Sequence, residues 1–166
     1  MQISKDIQAK LAKLGISSWS ELALITPNSY EDYRLHDKLQ DHTFQLIDAT
    51  VESVFRAPNS IQITFYVHNF GHTITGVLFR PKPYMMHQFS VGSREYYYGN
   101  IECKAGSCTM TMPKKVTTIG SITPKYKSNL RSDVMLRFIQ KNLSHENLVQ
   151  EGLKEEVVEQ LLKIHD

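Results

Sequence analysis

Residues 61–68 alternate strictly between apolar and polar side chains, in the order Ile, Gln, Ile, Thr, Phe, Tyr, Val, His. Because successive side chains of a strand point to opposite faces of a sheet, this alternation predicts a half-buried strand with one apolar face. Similar runs lie at residues 48–56, 73–79, 94–101 and 108–112, with turn-forming residues between them. Five short strands over about seventy residues are typical of a small closed barrel of the oligonucleotide-binding (OB) type. We therefore expect a five-stranded antiparallel barrel within residues 44–116.

Helical spacing of apolar residues replaces this alternation on both sides of the strands. Before the strands, a first helix is predicted to end at Gly15, a residue suited to a helix C-cap. Ser18 followed by Glu21 then predicts a capping box that opens a short second helix. After the strands, two further helices are predicted, one ending near Leu143 and one over residues 157–164. The expected fold class is α+β with a mainly β core.

These patterns divide the chain into an N-terminal helical segment (residues 1–43), an OB barrel (44–116) and a C-terminal helical segment (117–166). Residues 30–42 are expected to form an irregular, charged connection. Gly99 is expected to mark a β-bulge, because an isolated glycine within a strand often does. The apolar helix near the C-terminus has no C-cap, and this leads us to expect that the chain was cut from a longer protein.

The segment from Phe79 to Phe89, in the connection between the third and fourth strands, combines stiffness with aromatic and basic side chains. Pro81 and Pro83 each fix φ and remove a backbone donor, so this segment should neither join a central ladder nor form a helix. We expect it to protrude from the barrel, and we call it the finger. Phe79 and Phe89 lie at its ends, and it carries Arg80, Lys82, Tyr84 and His87.

Basic residues are concentrated in the middle of the chain, although the formal net charge of the whole chain is only +2. Residues 53–132 contain ten Lys and Arg but only two acids, so this window carries +8 and the remainder −6. Cations that neutralise phosphates release counterions and so drive binding, which makes an anionic partner the favoured interpretation over a solvated basic face. The predicted nucleic-acid contacts are Phe79, Arg80, Lys82, Tyr84, Arg94, Lys104, Lys114 and Lys115.

Tyrosines on the predicted strands are further candidates for base stacking, namely Tyr66, Tyr96 and Tyr98. Aromatic side chains on strands also serve as core residues or as cross-strand partners, so both roles stay open at this point.

The two cysteines, Cys103 and Cys108, flank a predicted turn and are close enough in sequence for a disulfide across the hairpin. No signal peptide precedes the strands, so we expect reduced thiols in a cytoplasmic protein. Two cysteines without paired histidines do not make a zinc site, and no metal is expected. No apolar run reaches the ~20 residues that span a bilayer, so no membrane partner is expected.

A stand-alone enzyme that uses histidines such as His68, His72 and His87 is a third possibility. Catalytic histidines are usually oriented by a partner group, and residues 53–94 contain no carboxylate for that role. The sequence therefore disfavours a histidine-based active site.

Residues 11–34, LAKLGISSWSELALITPNSYEDYR, resemble the opening signature of the bacterial branched-DNA helicase family RecG. In that family a Leu-Gly-Ile turn precedes a Leu-rich helix, a proline and Tyr-Glu-Asp. Later blocks agree in order, and the resemblance spans nearly all of the chain. These blocks are Val91-Gly92, Tyr98-Gly99, Met112-Pro113, Pro124-x-Tyr126 and the Leu-x-x-Ile-His of residues 161–165.

The resemblance implies that the chain is the wedge region of a RecG-like helicase, an OB barrel that docks on replication forks or Holliday junctions. It implies strand splitting at the junction, during fork reversal and recombinational repair. Phe79 matches the family's junction phenylalanine, and Tyr84 lies near its aromatic partner. The expected partners are forked or four-way branched DNA and the helicase lobes of the full-length chain, and the protein is expected to be a monomer.

The motor of such a helicase is expected to lie elsewhere, because the sequence has no G-x-x-x-x-G-K-[ST] loop to bind a triphosphate. We expect no ATP hydrolysis and no cofactor for this chain. ATP and Mg²⁺ are expected for the full-length parent alone.

An OB-fold protein-interaction module is the alternative that the sequence leaves open. The finger would then insert Tyr84 and the adjacent Met85 and Met86 into a partner's pocket, since Met and Tyr suit adaptable apolar surfaces.

Overall fold

A computed structural model describes residues 5–128 and 130–166, so Ile3 of the first predicted helix lies outside the described residues. The chain separates into two units, one formed by residues 32–123 and the other by the chain before residue 32 together with residues 124–166. None of the described helices is long and apolar enough to cross a membrane.

The unit of residues 32–123 is a closed barrel of five strands, in the spatial order β2-β3-β4-β6-β5. Its strands lie on the five runs with period-two alternation, and their inward side chains form one apolar core around Phe65 and Tyr97. The predicted fold, α+β with a mainly β core, is confirmed. The strands are β2 (Thr43–Ala57), β3 (Ser60–Val67), β4 (His72–Phe79), β5 (Arg94–Lys104) and β6 (Ser107–Val116).

One strand pair differs from the predicted antiparallel barrel. Strands β4 and β6 run parallel, with Gly76 opposite Met110, whereas the other four neighbouring pairs are antiparallel. In a closed ring, strand direction can alternate all the way round only when the number of strands is even. A five-stranded barrel must therefore contain a parallel pair, and the prediction of a purely antiparallel barrel was wrong for that reason.

Two bulges shift the register of the barrel strands. The pairing of β2 with β3 shifts at Glu52, and the pairing of β5 with β6 shifts at Gly99, which confirms the predicted bulge position. The additional residues at Gly99 are on β6, where Met112 and Pro113 stand opposite it. A Cβ atom at Gly99 would lie 2.6 Å from Met110 Cγ, so the close approach of β6 requires glycine here.

The finger lies against the barrel, and its middle forms a short helix, α3 (Pro83–Met86). This corrects the prediction that two prolines exclude a helix. Pro83 stands in the first turn, where the missing N–H would have no partner in any case and the fixed φ suits the helix. Met85, Met86 and the buried Phe89 pack against the barrel core, so only part of the finger protrudes.

Cys103 and Cys108 form a disulfide across the β5–β6 hairpin. They stand directly opposite each other in the register, within the short Cα separation that a disulfide requires. The expectation of reduced thiols is corrected by this pairing.

The second unit is helical, with a core that contains Trp19, Met135 and Leu148. One half of the predicted capping box is present, because the Ser18 hydroxyl accepts from the Glu21 N–H at 3.1 Å, while the Glu21 carboxylate accepts from the N–H of Ser17 at 2.6 Å. The short helix α5 was not predicted from the sequence. The helices are α1 (Lys5–Leu14), α2 (Trp19–Ala23), α4 (Ser132–Asn142), α5 (His145–Gln150) and α6 (Glu155–Lys163).

Two short strands, β1 (Ser29–Asp32) and β7 (Ile122–Lys125), form a two-stranded sheet, and the division between the two units falls within them. Strand β1 lies partly within residues 30–42, which were predicted to be irregular. Its four residues carry no period-two apolar pattern that would have indicated a strand.

A buried polar pair fixes the end of the helical unit. His165 is 3% exposed, with its Nδ1 2.7 Å from the Tyr126 hydroxyl and its Nε2 2.9 Å from the carbonyl oxygen of Ala23. A carbonyl can only accept, so Nε2 carries the proton and the tyrosine hydroxyl donates to Nδ1. Burial raises the pKa of Tyr126 to about 12, which keeps this hydroxyl protonated and able to donate.

Tyr126→Phe should lower the free energy of unfolding by about 1–3 kcal/mol, because it leaves a buried imidazole nitrogen without a donor. Urea unfolding followed by the fluorescence of Trp19, which lies in the same core, measures this change. Tyr30→Phe is the matched control, since Tyr30 is 54% exposed and its hydroxyl makes only a 3.5 Å contact with the carbonyl of Ile164. Equal losses in the two variants would contradict the role of the buried pair.

Candidate nucleic-acid interface

Phe79 ends β4 at the rim of the barrel and is 58% exposed. Its N–H approaches the sulfur of Met112 at 3.4 Å, and the next residue, Arg80, donates its N–H to the carbonyl of Asn59 at 2.8 Å. Arg80 has φ of 45°, a conformation that non-glycine residues seldom adopt, and this turn directs the chain from β4 into the finger. The Phe79 ring therefore faces solvent at a hydrogen-bonded corner, outside the barrel core.

Tyr84, Arg80 and Lys82 are exposed on the same short segment, with Tyr84 at 59% on helix α3. Within the part of the chain that the structure describes, neither Arg80 nor Lys82 pairs with a carboxylate. The four predicted residues from Phe79 to Tyr84 thus combine two exposed rings with two uncompensated cations.

Arg94 is held by Asp48 through two hydrogen bonds, Nε to Oδ1 at 2.9 Å and Nη2 to Oδ2 at 2.7 Å. The hydrogen bond from Arg94 holds the pKa of Asp48 below its ordinary range, so the carboxylate stays ionised at neutral pH. The Arg94 charge is compensated within the barrel, which makes it a weaker candidate for a phosphate contact than its sequence position indicated.

Lys115 and Lys104 lie in surroundings that differ from those of the finger cations. The Lys115 ammonium pairs with Glu95 at 2.9 Å, so its charge is also compensated. Lys104 is exposed at the tip of the β5–β6 hairpin. Because Thr75 of β4 aligns with Thr109 of the parallel β6, this tip lies beside the start of β4, at the opposite end of the barrel from the finger.

Lys114 lies among aromatic rings on the outer surface of β2, β5 and β6. Its Nζ is 5.7 Å from the ring centre of Tyr33 and 5.4 Å from that of Tyr98, distances at which a cation is attracted to the ring face. Phe44 also stacks on Tyr98, with ring centres 5.8 Å apart. Tyr98 is therefore buried at 4% exposure and is unavailable as a stacking surface, whereas Tyr66 is 37% exposed.

A cleft of about 300 Å³ adjoins Lys114 and Lys115 and is lined mainly by hydroxyl side chains. Among the described residues, no group of three or more His, Cys, Asp and Glu side chains is placed to hold a metal ion. The eight predicted contacts thus fall into a finger group at Phe79 to Tyr84 and four dispersed cations, three of which interact with other side chains of the barrel.

Phe55 and Arg56 are exposed residues at the finger end of β2 that the sequence analysis did not single out. Strict alternation from the buried Val51 predicts that Phe55 faces the barrel interior, so the sequence pattern does not identify it as a surface residue. A sequence signal for its outward position is the polar Ser53, which stands where alternation from Val51 requires an apolar residue, directly after the bulge residue Glu52.

Phe79→Ala should change the free energy of unfolding by less than about 1 kcal/mol, because substitutions of exposed side chains have small effects. Phe89→Ala is the matched contrast in the same segment, since Phe89 is 5% exposed, and it should cost about 3–5 kcal/mol. Thermal melting of both variants measures the difference. A large loss of unfolding free energy in Phe79→Ala would show that this ring contributes to the core.

The sequence matches no family model. It is 27% identical to the ATP-dependent DNA helicase RecG of Helicobacter pylori strain J99 over 167 aligned positions, which cover 99% of this chain and 26% of that protein. The RecG of H. pylori strain 26695 is 26% identical, over 93% of this chain and 25% of that protein.

The structure of RecG bound to a three-way DNA junction is similar in fold, with a TM-score of 0.52 and 17% identity over 96% of this chain and 24% of that one. The chain spans about a quarter of the length of these relatives. It is therefore homologous to RecG, and its fold is that of the N-terminal region of this helicase.

Proposed function

We propose that the barrel unit binds branched DNA and stacks the unpaired bases at the branch point on Phe79. The observation that carries this proposal is the exposed Phe79 ring beside Arg80 and Lys82, two cations without a carboxylate partner in the described part of the chain. Only a branch point offers open base faces to such a ring, because the bases of a closed duplex stack on one another. Phosphates of the flanking duplexes would then lie against the two cations.

The homology supports this proposal, since the relatives are DNA helicases and the related RecG structure is bound to a three-way DNA junction. In a full-length RecG-like protein, the barrel would act as the wedge that separates strands while the helicase lobes move the duplexes. ATP and Mg²⁺ would bind those lobes, because residues 1–166 contain no triphosphate-binding loop. Replication forks and Holliday junctions are the substrates that this role implies.

Docking of the finger into a partner protein receives less support from the contacts. Met85 and Met86, which would supply the adaptable apolar surface, pack against the barrel core. That leaves Tyr84, which is 59% exposed, as the main side chain of the proposed docking loop, and one tyrosine is too small an anchor for an interface of ordinary size.

The 166-residue chain should bind a three-way junction more tightly than a linear duplex with the same number of base pairs, as measured by fluorescence anisotropy. Phe79→Ala should weaken junction binding by about 1–3 kcal/mol, with little effect on duplex binding, because it removes only a stacking surface. Phe44→Ala is the matched control, since that ring is 59% exposed on another part of the barrel. Equal affinity of the wild type for junction and duplex would contradict the proposal, because it would indicate that DNA binds only to a generic basic surface.

Arg80→Ala and Lys82→Ala should weaken binding to junction and duplex alike, because phosphates are present in both. Each substitution should also reduce the slope of log affinity against log salt by up to about one unit. Lys38→Ala removes an exposed cation outside the finger and should leave the slope unchanged. Phe79→Ala should not change the slope either, so the two kinds of contact are separable by a salt titration. An unchanged slope in both finger variants would remove Arg80 and Lys82 from the interface.

A further inference from the structure

Phe55 occupies a position that strict alternation assigns to the barrel interior, yet it is 65% exposed. Val51 is fully buried, so the residues two and four positions further along β2 would also face inward. The bulge at Glu52 shifts the register, and Phe55 then stands opposite Gln62, an exposed residue of β3. The bulge therefore turns a large apolar side chain outward, which is a recognised effect of bulges near functional surfaces.

Phe55 shares the outer face of β2, β3 and β4 with Phe79. The register pairs Phe55 with Gln62 and Gln62 with Val77, whereas Ser60 pairs with Phe79 in the next outward row. With neighbouring strands about 4.8 Å apart and alternate residues about 6.7 Å apart, the two phenylalanine Cα atoms are on the order of 12 Å from each other. Stacked bases are about 3.4 Å apart, so the two rings would contact different bases of one strand.

The outer face around these two rings carries one charged side chain, the exposed carboxylate of the bulge residue Glu52 beside Ser53, and cations are exposed at the adjoining end of the barrel. Arg56 follows Phe55, stands opposite the buried Ile61 and is exposed at the end of the barrel, and Arg80 is joined to the β2–β3 turn through its hydrogen bond to Asn59. Aromatic platforms bordered by cations suit a nucleic-acid strand that stacks its bases and leaves its phosphates at the edge. The neighbouring positions on this face are Ser53, Ala57, Ser60, Gln62, Thr64 and Val77.

We propose that Phe55 is a second stacking platform, which holds the unpaired strand of branched DNA after that strand has passed Phe79. This inference rests on the proposed function and adds to it a ligand, a single-stranded DNA arm of a few nucleotides. A lone exposed phenylalanine is ordinary on a protein surface. Here a bulge directs the ring outward, on the same face as Phe79, and Arg56 and Arg80 are exposed at the adjoining end of the barrel. Every base has a π face, so the platform accepts any sequence.

Binding of the 166-residue chain to two DNA probes tests the proposal. One probe is a fully paired three-way junction, and the other is the same junction with a six-nucleotide single-stranded arm of mixed sequence. Phe55→Ala should weaken binding of the armed junction roughly 5- to 150-fold, the range expected for loss of one stacked base. Its effect on the fully paired junction should be much smaller. Phe79→Ala should weaken binding of both probes, because it acts at the branch point.

Phe55→Trp should retain binding of the armed junction, because a tryptophan also offers a stacking face, and Phe44→Ala should bind both probes as the wild type does. Melting temperatures of all variants check that the chain stays folded, as the 65% exposure of Phe55 leads us to expect. Equal loss on both probes in Phe55→Ala, or no loss on either, would overturn the inference while leaving the junction site intact.

Two other outcomes separate the inference from the proposed function. Failure of the wild type to prefer a junction over a duplex would overturn the proposed function itself. Sedimentation measures whether the wild-type chain forms a dimer. A dimer that Phe55→Ala dissociates and that DNA does not affect would assign this face to a second copy of the chain. That result would overturn the inference but not the proposed function.

Discussion

Closure of the five-stranded barrel is the constraint on which the rest of this unit depends. An odd ring cannot alternate strand direction throughout, so one pair must be parallel, and here β4 lies parallel to β6. That pairing brings Met112 of β6 to the end of β4, where its sulfur meets the Phe79 N–H. The finger begins where the end of β4 meets β6. The exposure of Phe79 is thus a consequence of barrel closure as well as of its own sequence position.

Bulges decide which side chains the closed barrel presents to solvent. Side chains alternate with a period of two, so a single extra residue moves every later residue of a strand to the opposite face. At Glu52 this shift exposes Phe55 and turns Val54 toward the core. At Gly99 the absence of a Cβ lets β6 approach closely. The outer face therefore combines rings from β2 and β4 without loss of an apolar interior.

Electrostatic pairing divides the basic middle of the chain into residues with different roles. Asp48 compensates Arg94, and Glu95 compensates Lys115, each at hydrogen-bonding distance. The cations of the finger have no such partners in the described part of the chain. A window charge of +8 is consequently a poor guide to where phosphates would bind, because the acids that pair with its cations lie both inside and outside that window. Position along the chain does not reveal these partners.

The sequence by itself determined the number of barrel strands, the finger, the bulge at Gly99, the capping box at Ser18 and the resemblance to RecG. These features depend on local patterns, namely alternation, glycine and proline positions, and short motifs. Only the tertiary structure decided the parallel pair, the disulfide, the ion pairs of Arg94 and Lys115, and the outward position of Phe55. The parallel pair and the ion pairs arise from contacts between separate strands, and the outward Phe55 arises from a register shift. The disulfide depends on the register of the β5–β6 hairpin, which places Cys103 opposite Cys108, and a local sequence pattern does not specify these registers and pairings.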